Sequence, residues 1–372
     1  MEVVVEPEQQ KIVQAARDLE RLGYAVVKGV YSAEECDALH REMWACLESA
    51  SGGALRPGAD YARTFAKDLP PHKHGILETS RVNHAPPIRK VRRDPCILRL
   101  FASLYGTDQL VGSMDRINFK FPSRAYKSSG AWPHMDQDPR RLGRISIQSY
   151  LSVTDAGPES PGNQLYEGSH LVFAERWAYL RKAGPSDNWQ LLNVEEATAL
   201  GQVCPLVKPV LEKGDMLLWD SRTVHSPSDG SDFEGGRFVI YLCYNKLWEK
   251  AGDAKFLESK RRAFLDCRAT AHSPVPQKLF GKGARVYGPE KPKFWEFSKE
   301  ELGITDEPVG AERYLFGFEA YEGREGLNLG EGWVAGQPLL EFCSPFTPLL
   351  PAFRAEGKGK GPEKKKSRKE GL

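Results

Sequence analysis

Trp132-Pro-His134-Met-Asp136-Gln-Asp138-Pro139 is the stretch on which the reading of this chain turns. In an extended backbone, residues two apart point to the same side, so His134 and Asp136 would offer an imidazole and a carboxylate to one cavity. Alone the pattern is weak, because a loop aspartate capping a turn before Asp138-Pro139 has the same letters. Asp138 lies on the same face and competes with Asp136 only if the strand slips. The surroundings favour a strand. Gly112 to Phe121, Arg144 to Val153, Leu206 to Leu211, Asp215 to Asp220 and Arg237 to Tyr244 alternate or are rich in β-branched and aromatic residues, with Gly/Pro/Asp turns between them. Several strands without regular intervening helices predict a mainly β fold with α additions, a cupin-like jelly roll or double-stranded β-helix.

Outward from this core, Ile12, Val13, Ala16, Leu19 and Leu22 recur at helical spacing before Gly23, and Tyr24 to Val30 reads as a strand. Ser32-Ala-Glu-Glu35 is a capping box that opens a helix to about Ala50, and Asp94 to Tyr105 reads as another. The organisation expected is therefore N-terminal helical support over 1–105, a catalytic jelly-roll core over 106–250 with a helical insertion at 173–200, and an aromatic-rich C-terminal extension over 251–354 that packs on the core. Within that extension, Lys250 to Arg268 reads as a helix. The Gly- and Lys-rich segment 355–372 is expected to be a disordered basic tail.

The second half of the chemistry stands in Gly214-Asp-Met-Leu-Leu-Trp-Asp-Ser-Arg-Thr-Val-His225-Ser-Pro. A Gly-Asp turn starting an apolar strand that ends at a histidine brings His225 across the barrel mouth. With His134 and Asp136 it completes a set of two histidines and one carboxylate, which leaves iron positions open for a chelating cosubstrate and O2. Arg237 opens the next apolar strand, where a guanidinium at the base of the cavity can take a carboxylate bidentately. The bland reading of Arg237 is a strand-edge pair with Asp232 or Glu234. Pro71-His-Lys-His74 also offers two histidines, but no third ligand is visible, and His170 suits a hydrogen-bonded turn residue.

These pieces, in order, resemble the phytanoyl-CoA dioxygenase family of 2-oxoglutarate oxygenases over roughly Asp108 to Asn245. Arg116-Ile-Asn-Phe-Lys120 is similar to the family's x-x-N-x-K-P strand, His134-Met-Asp136 to its His-x-Asp, Glu167-Gly-Ser-His170 to its P-G-S-H, and Gly214 to His225 to its distal-histidine strand. The resemblance implies Fe(II) on His134, Asp136 and His225, with the far carboxylate of 2-oxoglutarate on Arg237. It further implies that Asn118 helps hold 2-oxoglutarate and that Gln148 and Tyr150 line its cavity. Fe(II), 2-oxoglutarate and O2, with ascorbate in support, would then hydroxylate or desaturate a C–H bond of a small organic or lipid-like substrate, releasing succinate and CO2. Halogenation is disfavoured, because Asp136 fills the position a halide would take. Glu167 stands where the family has proline, and the last hundred residues match nothing general in it.

Composition narrows the alternatives. The net charge is +2 overall, but the segment from Ala355 onward carries +4, so the body before it is slightly acidic and no broad nucleic-acid face is expected on the folded part. Contact with nucleic acid or another polyanion is expected only through that basic tail. A nuclear oxygenase acting on nucleic acid or protein is thus the second reading, and a non-catalytic jelly-roll binding module the third. The seven cysteines are widely spaced without a Cys-x-x-Cys, which fits free thiols in the cytoplasm or the nucleus. Neither a secretion signal nor a membrane span is expected. The final Glu-Gly-Leu is not the peroxisomal Ser-Lys-Leu, which weighs against a peroxisomal fatty-acid role.

Overall fold

The computed structural model describes residues 7–59, 76–77, 81–120, 131–172, 189–228, 236–248, 253–275, 297–321, 327–330 and 333–346. The basic tail and the His72/His74 pair lie outside the described residues, as do 173–188 of the expected helical insertion.

Two antiparallel sheets face one another. The larger runs β1 (Tyr24–Val27), β10 (Met216–Asp220), β6 (Ile147–Ser152), β12 (Arg237–Lys246), β4 (Ile117–Lys120) and β2 (Ile76–Leu77), with β3 (Leu110–Gly112) also paired to β12. The smaller runs β8 (Gln190–Leu191), β5 (His134–Met135), β11 (His225–Ser228), β7 (Gly162–Tyr166) and β9 (Leu206–Val207). This is the expected mainly β, jelly-roll architecture.

Strict alternation along β12 explains how the larger sheet is covered on both sides. Phe238, Ile240, Leu242 and Tyr244 share a core with the helices, while Val239 and Tyr241 pack with Tyr150, Leu217, Trp219 and Leu165 between the sheets. Arg237 belongs to the second set by its spacing and is therefore directed inward at one end of the sandwich.

The helical layer consists of α1 (Pro7–Leu22), α2 (Ala33–Ala50), α3 (Pro86–Arg92) and α4 (Pro95–Tyr105). Both expected starts are seen: the Ser32 hydroxyl accepts from the Glu35 amide at 3.2 Å, the Glu35 carboxylate accepts from the Ser32 amide at 2.8 Å, and Asp94 caps the Cys96 amide at 2.9 Å. The Gly214-Asp215 turn is a dock for the link between β1 and α2. Gly214 has φ +94°, its carbonyl accepts from the Val30 and Tyr31 amides, and a Cβ there would come within 2.0 Å of the Tyr31 carbonyl. Only glycine fits so close an approach.

Three expectations are adjusted by the backbone. The stretch Gly112 to Phe121 is interrupted: Met114 exchanges hydrogen bonds with Thr270, its amide meeting the Thr270 hydroxyl and its carbonyl the Thr270 amide, both at 2.9 Å. Leu206 to Leu211 keeps only two strand residues, since Pro209 cannot donate to a ladder, and Leu211 makes an isolated bridge to Ala156. In the described part of the insertion, α5 (Val194–Gly201) follows the short strand β8.

Beyond the strands, α6 (Ala254–Leu265) and α7 (Glu312–Leu315) supply Phe264, Leu315 and, just after, Phe316 to the core that holds Ile88, Phe101 and Leu104. Arg89 on α3 clamps Glu312 on α7 through two parallel contacts of 2.8 and 2.5 Å, and its remaining donors reach the Thr305 and Glu307 carbonyls. Both residues are buried. No helix among the described residues is long and apolar enough to cross a membrane, and all seven cysteines are free.

Removing one member of a buried ion pair leaves the other as an uncompensated charge. Glu312→Ala is expected to lower unfolding free energy by about 3–5 kcal/mol, read by chemical denaturation. Less than about 1 kcal/mol would show that Arg89 needs no partner there.

Candidate metal centre

The site forms where β5 and β11 pair. His134 and His225 stand directly across from one another in that ladder. Asp136, two residues past His134, completes the group, and one ligand atom from each of the three lies within 4.8 Å of the others. His134 Nε2 is 3.8 Å from Asp136 Oδ1, and His225 Nε2 is 3.4 Å from Asp136 Oδ2. Such a cluster of two imidazoles and one carboxylate can hold a divalent transition-metal ion with positions to spare.

Backbone carbonyls set the chemistry of both rings. His134 Nδ1 is 3.0 Å from the Trp132 carbonyl, and His225 Nδ1 is 3.0 Å from the Thr223 carbonyl. A carbonyl only accepts, so each Nδ1 carries the proton and each Nε2 presents its lone pair toward Asp136. Burial pushes the His134 pKa down to about 3, and His225 nearby adds to the fall while Asp136 opposes it. The ring is therefore neutral at ordinary pH, as a ligand must be. Trp132 stacks on it with centroids 4.1 Å apart and planes 9° from parallel, which fixes its tilt. Burial would raise the Asp136 pKa, but the two imidazoles outweigh it and hold the group as carboxylate.

The Glu167-Gly-Ser-His170 turn places the distal histidine. The Ser169 hydroxyl accepts from the Val224 amide at 2.9 Å, and the Tyr166 amide donates to the Val224 carbonyl at 2.9 Å. Thr223 in turn donates its hydroxyl to the Gly23 carbonyl at 2.8 Å. His170 donates from Nε2 to the Glu20 carbonyl at 3.0 Å. The turn thus ties the end of α1 to the residue that precedes His225.

Arg237, Asn118, His134 and His225 line one cavity of about 90 Å3. Arg237 is 7% exposed, lies over the Tyr150 ring at 5.3 Å, and its Nε has no hydrogen-bond partner among the described residues. Asp232 and Glu234, its alternative partners, lie outside the described residues. Asn118 sits on β4 opposite Val239, in the same inward-facing row as Arg237. Gln148 donates from Nε2 to Asp136 Oδ2 at 3.1 Å and steadies the carboxylate. Tyr150 presents its ring to the Arg237 guanidinium. Asp138 is engaged by Arg140 at 2.7 Å and so is held away from the triad.

The cavity has further walls that motif reading did not single out: Arg116, Trp132, Trp219, Tyr241 and His272. Trp132 stands two residues before His134, and Trp219 lies on the strand that leads to His225 and faces it from the other sheet with rings 5.3 Å apart, so alternation carried a signal for them. Nothing in sequence spacing pointed to His272.

The fold and this centre define a jelly-roll protein of the two-histidine, one-carboxylate class. The phytanoyl-CoA dioxygenase (PhyH) family matches residues 19–229, and the chain belongs to that family. It is a 2-oxoglutarate-dependent non-haem iron oxygenase. It is 30% identical over 226 residues to Ava biosynthesis cluster protein O of Aspergillus versicolor, a match spanning 58% of this chain and 71% of that relative. A protein of Salmonella typhimurium LT2 with a solved crystal structure shares the fold with a TM-score of 0.50 and 16% identity, over 78% of this chain and 82% of that one. EctD from S. alaskensis, crystallised with 2-oxoglutarate and 5-hydroxyectoine, has a TM-score of 0.43 and 18% identity over 66% of this chain and 79% of its own.

Outer partners of metal ligands tune affinity by about 10–100-fold. Gln148→Leu, which keeps the volume and removes the donor to Asp136, is expected to weaken divalent-metal binding within that range while circular dichroism stays unchanged. Unaltered metal affinity by calorimetry would show that Asp136 is oriented without it.

Proposed function

We propose that the protein hydroxylates or desaturates a C–H bond of a small organic or lipid-like substrate, with His134, Asp136 and His225 as the ligands of Fe(II) and Arg237 as the anchor of 2-oxoglutarate. The observation that carries this is the convergence of the three ligand atoms, two of them on histidines that line a cavity also holding a buried guanidinium with an unpartnered Nε. Two imidazoles whose Nδ1 atoms face backbone carbonyls, together with a carboxylate, are a donor set that suits ferrous ion. A buried arginine beside aromatic and polar walls suits the far carboxylate of a dicarboxylic acid. The residues present fit both groups.

Iron with 2-oxoglutarate and O2 supplies the oxidising power, and the cosubstrate leaves as succinate and CO2. The chain does the rest. Carbonyls of Trp132 and Thr223 hold both imidazoles in the ligating tautomer, Gln148 orients Asp136, and Tyr150 supports the Arg237 plane from below. Asn118 adds a polar group to the cosubstrate's side of the cavity. Trp132, Trp219 and Tyr241 exclude water around the reacting carbon. Asp136 occupies the position a halide would need, which favours hydroxylation or desaturation over halogenation. The biosynthesis-cluster name of the Aspergillus relative supports a small-molecule substrate.

His134→Ala, Asp136→Ala and His225→Ala are each expected to abolish succinate formation and weaken Fe(II) binding with the fold intact. Full turnover in the His225 variant would overturn the ligand set. Arg237→Lys keeps the charge but loses the planar fork, so the KM for 2-oxoglutarate should rise roughly tenfold or more with iron affinity unchanged. Unchanged cosubstrate kinetics in Arg237→Lys and Arg237→Ala would remove Arg237 from the site. Metabolite extracts supplied with Fe(II), ascorbate and 2-oxoglutarate should yield a product one oxygen heavier, detected by mass spectrometry.

A further inference from the structure

Strand pairing carries the metal-facing side of the smaller sheet past the ligands to its edge. Residues directly opposite in an antiparallel ladder present their side chains to the same face. Leu165 stands opposite His225, His225 opposite His134, and His134 opposite Leu191 on β8. These four therefore share one face, and Leu165 marks it as the inner one, since it packs between the sheets with Tyr150 and Trp219. The Leu192 amide donates to the Pro133 carbonyl at 2.9 Å, which makes Leu191 and His134 a non-hydrogen-bonded pair, the kind in which side chains come closest.

Burial along β8 runs against the usual order. Gln190 and Leu192, on the back of the strand, are 7% and 4% exposed, and Leu192 packs with Met135, Leu200 and Val224. Trp189 and Leu191, on the metal-facing side by alternation, are 43% and 44% exposed. The Trp189 ring stands edge-on to His134 with centroids 6.4 Å apart, while Trp132 is stacked on the same imidazole. Single exposed apolar residues are ordinary. Two large ones, set by alternation on the side of the sheet that carries the metal ligands and beside one of them, form an open apolar ledge.

The strand that carries this ledge is fixed on both sides. The Leu191 carbonyl points away from β5 toward the edge of the sheet, and Gln190 Nε2 donates to it at 2.7 Å. Asn193 then opens α5 with a reciprocal cap: its side chain accepts from the Glu196 amide, and the Glu196 carboxylate accepts from the Asn193 amide, each at 2.8 Å. With its edge carbonyl engaged, β8 is a poor template for a strand of a second copy. An oxygenase substrate, by contrast, has to bring a carbon within reach of the metal, and so lies against whatever borders the ligands. From Trp189 to Val194 the chain has no charged residue with which to pair a charge on that molecule.

We propose that Trp189 and Leu191 are specificity-determining residues, a ledge at the His134 side of the metal centre that takes an uncharged aromatic or hydrocarbon part of the substrate. The proposal rests on the metal reading given above. It leaves the cavity of about 90 Å3 to the cosubstrate and places the substrate's apolar part on the open surface beside it.

The test uses the full chain with 2-oxoglutarate, loaded in parallel with paramagnetic Mn(II) and diamagnetic Zn(II). The probes are 2-naphthol, uncharged at neutral pH, and myo-inositol, a polar ring. Nuclear relaxation of each is followed through a titration, while calorimetry follows metal and 2-oxoglutarate. The Mn(II) form should relax the 2-naphthol protons saturably and well beyond the Zn(II) form, with no such effect on myo-inositol. Trp189→Ala and Leu191→Ser should each weaken 2-naphthol roughly tenfold, with Trp189→Phe within about threefold of wild type, and 2-oxoglutarate affinity should be the same in all. Both side chains are exposed, so the variants should fold. No metal-dependent relaxation of 2-naphthol, an equal effect on myo-inositol, unweakened binding in either truncation, or loss of binding in Trp189→Phe would each overturn the proposal. So would a wild-type dimer, seen by sedimentation, that Leu191→Asp dissociates, because the ledge would then belong to a second copy. The titration is repeated without 2-oxoglutarate. A wild-type chain that fails to bind metal or cosubstrate by calorimetry sinks the reading of the centre, and is thereby distinguished from a chain that binds both and fails only at the ledge.

Discussion

The pairing of β11 against β5 is the constraint on which the rest of the site depends. It sets His225 directly across from His134, and a metal centre of this kind exists only if those two rings face each other across a ladder. β5 is two residues long, too short to hold its own register. Its place is imposed from outside. On the far side of β11, β7 continues into the Gly-Ser-His turn, where Ser169 and Tyr166 hold both polar groups of Val224, and behind that turn stands the end of α1. Gly23 is pinched so tightly there that a Cβ would sit 2.5 Å from His170 Nδ1 and 2.6 Å from the Thr223 hydroxyl. The N-terminal helix thereby acts on the centre through packing, although it contributes no ligand.

The two ends of the inner cavity are set by different means. At the metal end, precision comes from backbone carbonyls, whose positions are fixed by strand pairing and which leave each imidazole one tautomer. At the Arg237 end it comes from burial, because a guanidinium over the Tyr150 ring has little room to turn. Gln148 and Tyr150 lie on the same strand with one residue between them, and β6 therefore braces both ends at once from behind. Neither side chain needs to touch a bound molecule to matter.

Much of this was legible in the sequence, for physical reasons. His134, Asp136, His225 and Arg237 are placed by period-two alternation and by turns whose glycines have no substitutes, such as Gly214, and those signals are local. The capping residues Ser32 and Asp94 declared their helices for the same reason. What escaped was non-local or locally weak. The strand β7 reads Gly-Asn-Gln-Leu-Tyr, with no β-branched residue, and is a strand because its neighbours β11 and β9 make it one. The break at Ser113 to Arg116 is made by Thr270, far away in the chain, and no window of sequence contains both. His272 escaped for that reason too. Gln148 was expected on the cavity because the family resemblance implied it; that resemblance carried no word of the hydrogen bond it gives the Asp136 carboxylate.

The clamp of Arg89 on Glu312 bears on how such a chain could be recombined. Family resemblance invites treating the barrel as a cassette that ends near residue 229, with the remainder of the chain as an interchangeable appendage. Yet α3, on the N-terminal side, carries a buried cation whose counter-ion lies in the C-terminal region, and Met114, in the break before β4, exchanges hydrogen bonds with Thr270 beyond α6. A chimera that joined this barrel to a relative's ending would have to reproduce both connections or tolerate an orphaned guanidinium beneath its helical layer. The two ends of the chain are thus coupled by electrostatics as well as by packing, and a recombined chain keeps both connections only if it spans α1 to α7.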